Sequence, residues 1–144
     1  MVELACRCKP GDKLVAVSDA VMASGMPDGT YFIGESPIVV EKGFSHTAEG
    51  KLAGTTTLVD DSWHSLMNYA NTDETYAACS VSHTPAVSLG LQDRGVIRPG
   101  TRADMAIFEQ HTNRLLMTIC GGNIVYRADG IKPEKEPEYD QEEQ

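Results

Sequence analysis

The sequence is short of basic residues, and this shortage limits the partners it can bind. Asp and Glu number 21 against 12 Lys and Arg, so the formal net charge is −9. Such a balance repels phosphate backbones, and we expect no nucleic-acid partner. No apolar run approaches the ~20 residues that cross a bilayer, and the first residues do not resemble a secretory signal, so we expect no membrane partner. These features predict a cytoplasmic protein.

Cysteine and histidine number four each, and neither is spaced like a self-contained metal site. Two of the four cysteines form Cys6-Arg7-Cys8, whereas zinc sites usually place two to four residues between paired cysteines. The four histidines contain no H-x-H or H-x-x-x-H pair; they are His46, His64, His83 and His111. We therefore expect reduced cysteines and no metal ligands in this chain.

Glycine-rich phosphate motifs are missing as well. The sequence contains neither G-x-x-x-x-G-K-[ST] nor G-x-G-x-x-G after a strand. The stretch LAGTT at Leu52–Thr56 does combine small residues with a position shortly before a predicted helix, and helix N-termini favour anions. Taken alone, these residues are explained more simply by a tight loop without a ligand.

Helix and strand patterns are present, in an unusual order. Apolar spacing and capping residues predict helices over residues 2–8, 60–71, 72–82 and 85–89, and Pro10-Gly11-Asp12 predicts the end of the first. Short β patterns cover 31–33, 37–40 and 104–109, and a hairpin is predicted over 115–127 around Gly121-Gly122-Asn123.

One apolar run stands apart from the others. Leu14–Val17 is nearly continuous, which is typical of a parallel strand buried on both faces, and Asp19 follows it. At the carboxyl end of a barrel strand, an aspartate can pass a proton from water to a leaving amine, although a turn or cap role is the commoner one. A lone parallel strand has no partner within this chain. Either the sheet pairs differently, or the chain is part of something larger.

Three motifs, in order along the chain, resemble a known family. They read LVAVSDAVMASGMPDGTYFIG, AEGKLAGTTTLVDD and HTPAVSLGLQDRGVIRPGTRADMAIFE. Together, from about Glu3 to Tyr126, they resemble the C-terminal portion of the N-acetylglucosamine-6-phosphate deacetylases, which belong to the metal-dependent amidohydrolase superfamily. The third motif is common to many amidohydrolases, and the first two favour the sugar-phosphate deacetylase branch.

The resemblance implies an α/β fold. The chain would be the C-terminal fragment of a TIM barrel, with its last strand and helices, plus part of the flanking β-sandwich. Residues 1–30 and 52–92 would form the last βα part of the barrel, with Leu14–Ser18 as its eighth strand. Residues 31–51 and 93–128 would belong to the β-sandwich. Residues 129–144 are acidic and proline-containing, and we expect a disordered tail.

The resemblance also implies roles for individual residues. Asp19 matches the family's catalytic aspartate, a general base on metal-bound water that afterwards protonates the amine. Leu52, Ala53, Gly54 and Thr55 match the loop that contacts the amino-sugar phosphate. The family uses a divalent metal, zinc or similar, whose ligands lie on earlier strands that this sequence lacks. Because the metal lowers the pKa of water, we expect this chain alone to bind no metal and to hydrolyse no N-acetyl sugar.

Three functions stay open at this point. The first is a deacetylase present as a fragment. The second is a non-catalytic module that self-associates or binds a missing N-terminal part through the exposed edge of Leu14–Val17. The third is a small sensor of amino-sugar phosphate built on Ala53–Thr55, which is the weakest because a pocket normally buries most of its ligand. Uncovered apolar surface around Leu14–Val17 predicts oligomers or poor solubility.

Overall fold

The computed structural model describes residues 1–9 and 13–131. This part of the chain contains four helices and six strands. The chain divides into two compact units, Met1–Val96 and Ile97–Gln144. Within the described part, no helix is both long and apolar enough to cross a membrane. The predicted helix stop at Pro10–Asp12 and most of the predicted disordered tail lie outside the described residues.

The first unit contains a three-stranded antiparallel sheet with β2 at its centre. Its strands are β1 (Gly29–Ile33), β2 (Ser36–Glu41) and β3 (Phe44–Thr47). The inward face of β2 carries Ile38 and Val40, which are 1% and 3% exposed. Lys42 and Gly43 join β2 to β3 with positive φ at both positions, the conformation of a tight hairpin turn. The strand patterns confirm β1 and β2, whereas β3 was not predicted.

Helices fill the rest of the first unit. They are α1 (Val2–Cys8), α2 (Val59–Ala70), α3 (Glu74–Val81) and α4 (His83–Ser88). Helix α2 ends at Asn71 in a left-handed conformation, and the Asp73 carboxylate caps α3 by accepting a 2.7 Å hydrogen bond from the Tyr76 amide. The apolar spacing therefore predicted α1, α2 and α3 correctly. Helix α4 begins at His83, two residues before the predicted start at Pro85.

The second unit is built on another three-stranded antiparallel sheet, in chain order. Its strands are β4 (Met105–Phe108), β5 (Leu115–Cys120) and β6 (Asn123–Arg127). The predicted hairpin is confirmed, and Gly121 and Gly122 turn it with positive φ. Asp104 fastens this turn, because its Oδ1 accepts a 2.7 Å hydrogen bond from the Gly121 amide and lies 3.0 Å from Arg102 Nε.

The prediction of a strand over Leu14–Val17 is wrong for the chain as described. This segment belongs to no named strand; its Ala16 amide instead donates a 2.9 Å hydrogen bond to the Ser80 carbonyl. Val15 and Val17 are 40% and 71% exposed, so the segment is not buried on both faces. A parallel strand requires neighbouring strands, and the described residues place none beside it. The assignment to a barrel, the domain boundaries and the cytoplasmic location remain predictions.

Candidate functional site

Asp19 lies just after the apolar segment in a strained backbone conformation. Its φ is +53°, a left-handed value that non-glycine residues adopt rarely and at a cost of ~1–3 kcal/mol. The residue is exposed, and within the described part of the chain its carboxylate makes no hydrogen bond or ion pair. The structure therefore presents a free carboxylate on a backbone that surrounding contacts must hold in place.

The loop Leu52–Thr55 is held on one side by strand β3. The Ala53 amide donates to the Ser45 carbonyl at 3.1 Å, and the Ser45 hydroxyl donates to the Ala53 carbonyl at 2.9 Å. Ser45 is buried, so both bonds are shielded from water. One residue earlier, Leu52 forms an isolated antiparallel bridge with His46. Strand β3 thus fixes the loop, and the sequence reasoning missed it.

Thr55 joins the same loop to the segment that contains Ser18 and Asp19. Ser18 lies 37 residues before Thr55 in the sequence. Its amide donates to the Asp19 carbonyl at 2.8 Å, and its carbonyl accepts from the Val21 amide at 2.9 Å. These two bonds form a parallel bridge between Ala20 and Thr55. The Thr55 hydroxyl donates to the Ser18 carbonyl at 2.6 Å. Two segments distant in sequence are therefore locked together at Asp19.

Gly54 makes this close approach possible. Its φ is +70°, and a Cβ at this position would lie 2.6 Å from Val21 Cγ1 and 2.8 Å from the Asp19 carbonyl oxygen. The Asp19 Oδ2 atom would be 3.8 Å from the same Cβ. Both the backbone conformation and the lack of space exclude any other residue without movement. The absence of a side chain at Gly54 is thus a condition for the juxtaposition with Asp19.

The N-terminus of α2, which follows the loop, already has anionic partners. Asp60 and Asp61 occupy its first turn, and Asp61 Oδ2 accepts a 2.8 Å hydrogen bond from the Leu58 amide. These carboxylates satisfy the positive end of the helix dipole. An additional anion at this helix end would meet like charge, so the helix itself does not supply a phosphate site.

The described residues do not supply a metal site. Across residues 1–9 and 13–131, no three His, Cys, Asp or Glu side chains come together in a group that could hold a metal ion. Asp19 accordingly belongs to no such group of three within this part of the chain.

The sequence-predicted site residues are brought together only in part. Gly54 and Thr55 contact the Asp19 backbone, and Ala53 is tied to β3 beside them. Leu52 is 83% exposed, and among the described residues it pairs with His46. The sequence analysis gave no role to Ser18, Val21 or Ser45. Ser18 and Val21 bond to the loop through main-chain groups, and Ser45 does so through its hydroxyl and its carbonyl, and no spacing pattern signals such contacts.

Curated relatives of known name match most of this chain. It is 34% identical over 128 residues to the N-acetylglucosamine-6-phosphate deacetylase of Vibrio furnissii, a match that covers 88% of this chain and 32% of the relative. The corresponding enzyme of Bacillus subtilis is 30% identical over 125 residues, covering 86% of this chain and 31% of the relative. The chain thus spans about a third of the length of these relatives. No family model matches it.

Solved structures agree with the sequence relatives. The N-acetylglucosamine-6-phosphate deacetylase of Thermotoga maritima superposes with a TM-score of 0.83 at 34% identity, over 89% of this chain and 35% of that one. A mutant of the Mycobacterium smegmatis enzyme, solved with N-acetyl-D-glucosamine-6-phosphate, gives 0.79 at 23% identity over 85% of this chain and 33% of that one, which shows likeness of fold alone.

Proposed function

This chain is a relative of the N-acetylglucosamine-6-phosphate deacetylases over about a third of their length, and on that premise we propose that it carries a proton-transfer and substrate-loop portion of such an enzyme. The reaction would be hydrolysis of the N-acetyl amide of an amino-sugar phosphate. The observation that carries the proposal is the bonding of the Leu52–Thr55 loop to the backbone at Asp19, because the family resemblance matches both to one site.

Asp19 is the proposed proton carrier of the site. Its carboxylate is exposed and makes no bond within the described residues, so it is available to a reactant. It would accept a proton from the water whose oxygen forms the new bond to the acetyl carbon. When the carbon–nitrogen bond breaks, the same proton would pass to the departing amine nitrogen, giving acetic acid and the neutral amine, and transfer of the acid proton to the amine then leaves acetate and the ammonium form of the amino sugar. Atoms and charge balance without a further reactant.

Leu52–Thr55 would form one wall of the substrate site. At one end of this loop Leu52 exposes its side chain, and towards the other end half-buried Gly54 lies against the Asp19 backbone. The helix end that follows already carries Asp60 and Asp61, so the phosphate would be bound by groups outside this loop and helix. The loop then contributes shape and position more than charge.

The rest of the fold is proposed from the same relationship. The Leu14–Ser18 segment would become the last strand of a barrel once neighbouring strands lie beside it, and residues 31–51 and 93–128 would contribute to a small β-sandwich. Two antiparallel three-stranded sheets in these regions support the second point. Because the described residues hold no metal site, we propose that the 144-residue chain is inactive alone.

The first experiment measures acetate release from N-acetylglucosamine 6-phosphate by the purified chain with added Zn²⁺. We expect none above the uncatalysed rate. Release that depends on the protein and disappears in Asp19→Asn would contradict inactivity while supporting the role of Asp19. This assay therefore tests whether the chain is inactive alone separately from whether Asp19 carries the proton.

The second experiment tests the function itself. This chain replaces the matching third of the Thermotoga maritima deacetylase, and kcat is measured for the chimera. Asp19→Asn removes the proton acceptor, and we expect kcat to fall by about 10²–10⁴-fold. Asp129→Asn, the same change at an exposed position of the second unit, serves as the matched control. An active chimera that is indifferent to Asp19→Asn rules out the proposed role.

A second candidate function rests on the exposed valines. Val15 and Val17 present apolar side chains to solvent on a segment without neighbouring strands. We propose as the alternative that this segment mediates self-association or binds a separate polypeptide, with no catalysis. Analytical ultracentrifugation tests the self-association. A chain that stays monomeric over a wide concentration range excludes it.

A further inference from the structure

The half-buried Thr55 side chain is bonded to the segment that carries Asp19. Its hydroxyl donates to the Ser18 carbonyl at 2.6 Å, and it accepts a 3.1 Å hydrogen bond from the Thr57 hydroxyl. A threonine hydroxyl has a single proton to donate, so the bond to Ser18 uses all of its donor capacity. No donor remains on this side chain for a sugar or a phosphate oxygen.

Thr55 donates hydrogen bonds to two consecutive carbonyls of the segment that carries Asp19. Its hydroxyl holds the Ser18 carbonyl, and its amide holds the Asp19 carbonyl at 2.8 Å. The peptide between these carbonyls sets the backbone at Asp19, where φ is +53°. A left-handed non-glycine residue persists only where its surroundings over-determine it, and two bonds from one residue do this.

We infer that Thr55 is a positioning residue, whose hydroxyl holds Asp19 in its left-handed conformation and so aims the carboxylate out of the segment. This inference rests on the proposed function, in which Asp19 is the proton carrier. The two parts of Thr55 then differ in role. Thr55 belongs to the loop that would line the substrate site, whereas its hydroxyl is bonded to Ser18 and acts through Asp19.

The test measures the backbone of Asp19 directly by NMR in the full 144-residue chain. A positive φ brings the amide and α protons of one residue close together, so Asp19 should show a strong intraresidue cross-relaxation peak. Thr55→Val keeps the shape and removes the hydroxyl, and we expect the peak to weaken to the level of ordinary extended residues. Thr55→Ser restores the hydroxyl and should restore the peak.

Thr56→Val is the matched control. This neighbouring threonine also donates its hydroxyl to a carbonyl, that of Gly43, and has no bond to Ser18 or Asp19. The Asp19 peak should be unchanged in this variant. A peak that stays strong in Thr55→Val, or one that weakens equally in Thr56→Val, overturns the inference.

A second variant covers the case in which Thr55→Val does not fold. Glycine adopts positive φ without strain, so Asp19→Gly no longer needs the Thr55 hydroxyl. Folding of the double variant Asp19→Gly/Thr55→Val supports the inference, and its failure to fold overturns it. Both readouts concern conformation, so a chain that does not catalyse deacetylation can still pass this test. The proposed function is tested separately, by the kcat of the chimera.

Discussion

Strand β2 and the Leu14–Val17 segment are both short apolar runs in the first unit, yet only one of them is buried. Ile38 and Val40 of β2 lie under the sheet, with strands hydrogen-bonded on either side. Val15 and Val17 stand exposed, and the segment belongs to no sheet. Composition does not distinguish the two runs. The presence of neighbours does.

The comparison shows what the Asp19 site has and what it needs. The described chain holds the backbone of Asp19 through Thr55 and the space left at Gly54. It does not cover the valines that precede Asp19, and it contains no metal site within the described residues. Asp19, the proposed proton carrier, is therefore held by contacts from the Leu52–Thr55 loop, whereas the described residues leave Val15 and Val17 exposed.

The largest effect is expected in β2. Ile38→Ala empties a position that is fully buried, and such truncations cost about 2–5 kcal/mol of unfolding free energy. Urea denaturation monitored by circular dichroism measures the change. Val39→Ala, the neighbouring half-buried position on the same strand, is the control and should cost less. Equal losses of unfolding free energy at the two positions would show that the Ile38 face of β2 is no more buried than the Val39 face.

A smaller but still large effect is expected at Gly54. Gly54→Ala places a Cβ against Val21 and the Asp19 carbonyl in a left-handed backbone, and we expect a loss on the order of 3 kcal/mol. Gly50→Ala is matched in φ, at +76°, but has open space around the new Cβ, so it reports the backbone cost alone. If both variants lose the same stability in thermal unfolding, the loop does not pack against Asp19.

A near-zero effect is expected at Val17 in the monomer. Val17→Asp changes a side chain that is largely in solvent, and exposed substitutions usually alter stability by less than about 0.5 kcal/mol. Thermal unfolding at low protein concentration tests this. If the valines form an interface, the same substitution instead abolishes the oligomer in sedimentation. A loss of several kcal/mol in a monomer would mean that the segment is buried like β2.

The smallest effect concerns Glu49, in the turn after β3. The Thr47 hydroxyl donates to its carboxylate at 2.7 Å, and this bond lowers the pKa of Glu49 below its usual 4.5. A lowered folded-state pKa gives stability that is present above 4.5 and is lost as the pH falls through the folded pKa. Thr47→Val should raise the pKa of Glu49, as measured by carbon-detected NMR titration. Thr30→Val, on the opposite edge strand, should leave it unchanged.

Sequence patterns predicted the local elements well. Helices α1, α2 and α3, strands β1, β2 and β4, and the hairpin of β5 and β6 all follow apolar spacing, capping residues and glycine turns. Strand β3 was not predicted because Phe44–Thr47 has one large apolar residue and no alternation of apolar and polar residues. The Leu14–Val17 prediction failed for a different reason. An apolar run specifies burial, but the neighbours that provide it are non-local.

The sequence by itself determined which residues we propose for the site, since the resemblance carried by three motifs points to Asp19 and Leu52–Thr55. Only the tertiary structure decided how they meet: the positive φ of Asp19, the missing Cβ of Gly54 and the two bonds from Thr55 to consecutive carbonyls. The Thr55 hydroxyl and the missing side chain of Gly54 depend on residue identity, but both act on main-chain carbonyls more than 30 residues away in sequence. Because main-chain acceptors are the same at nearly every residue, no sequence pattern marks which carbonyls these are.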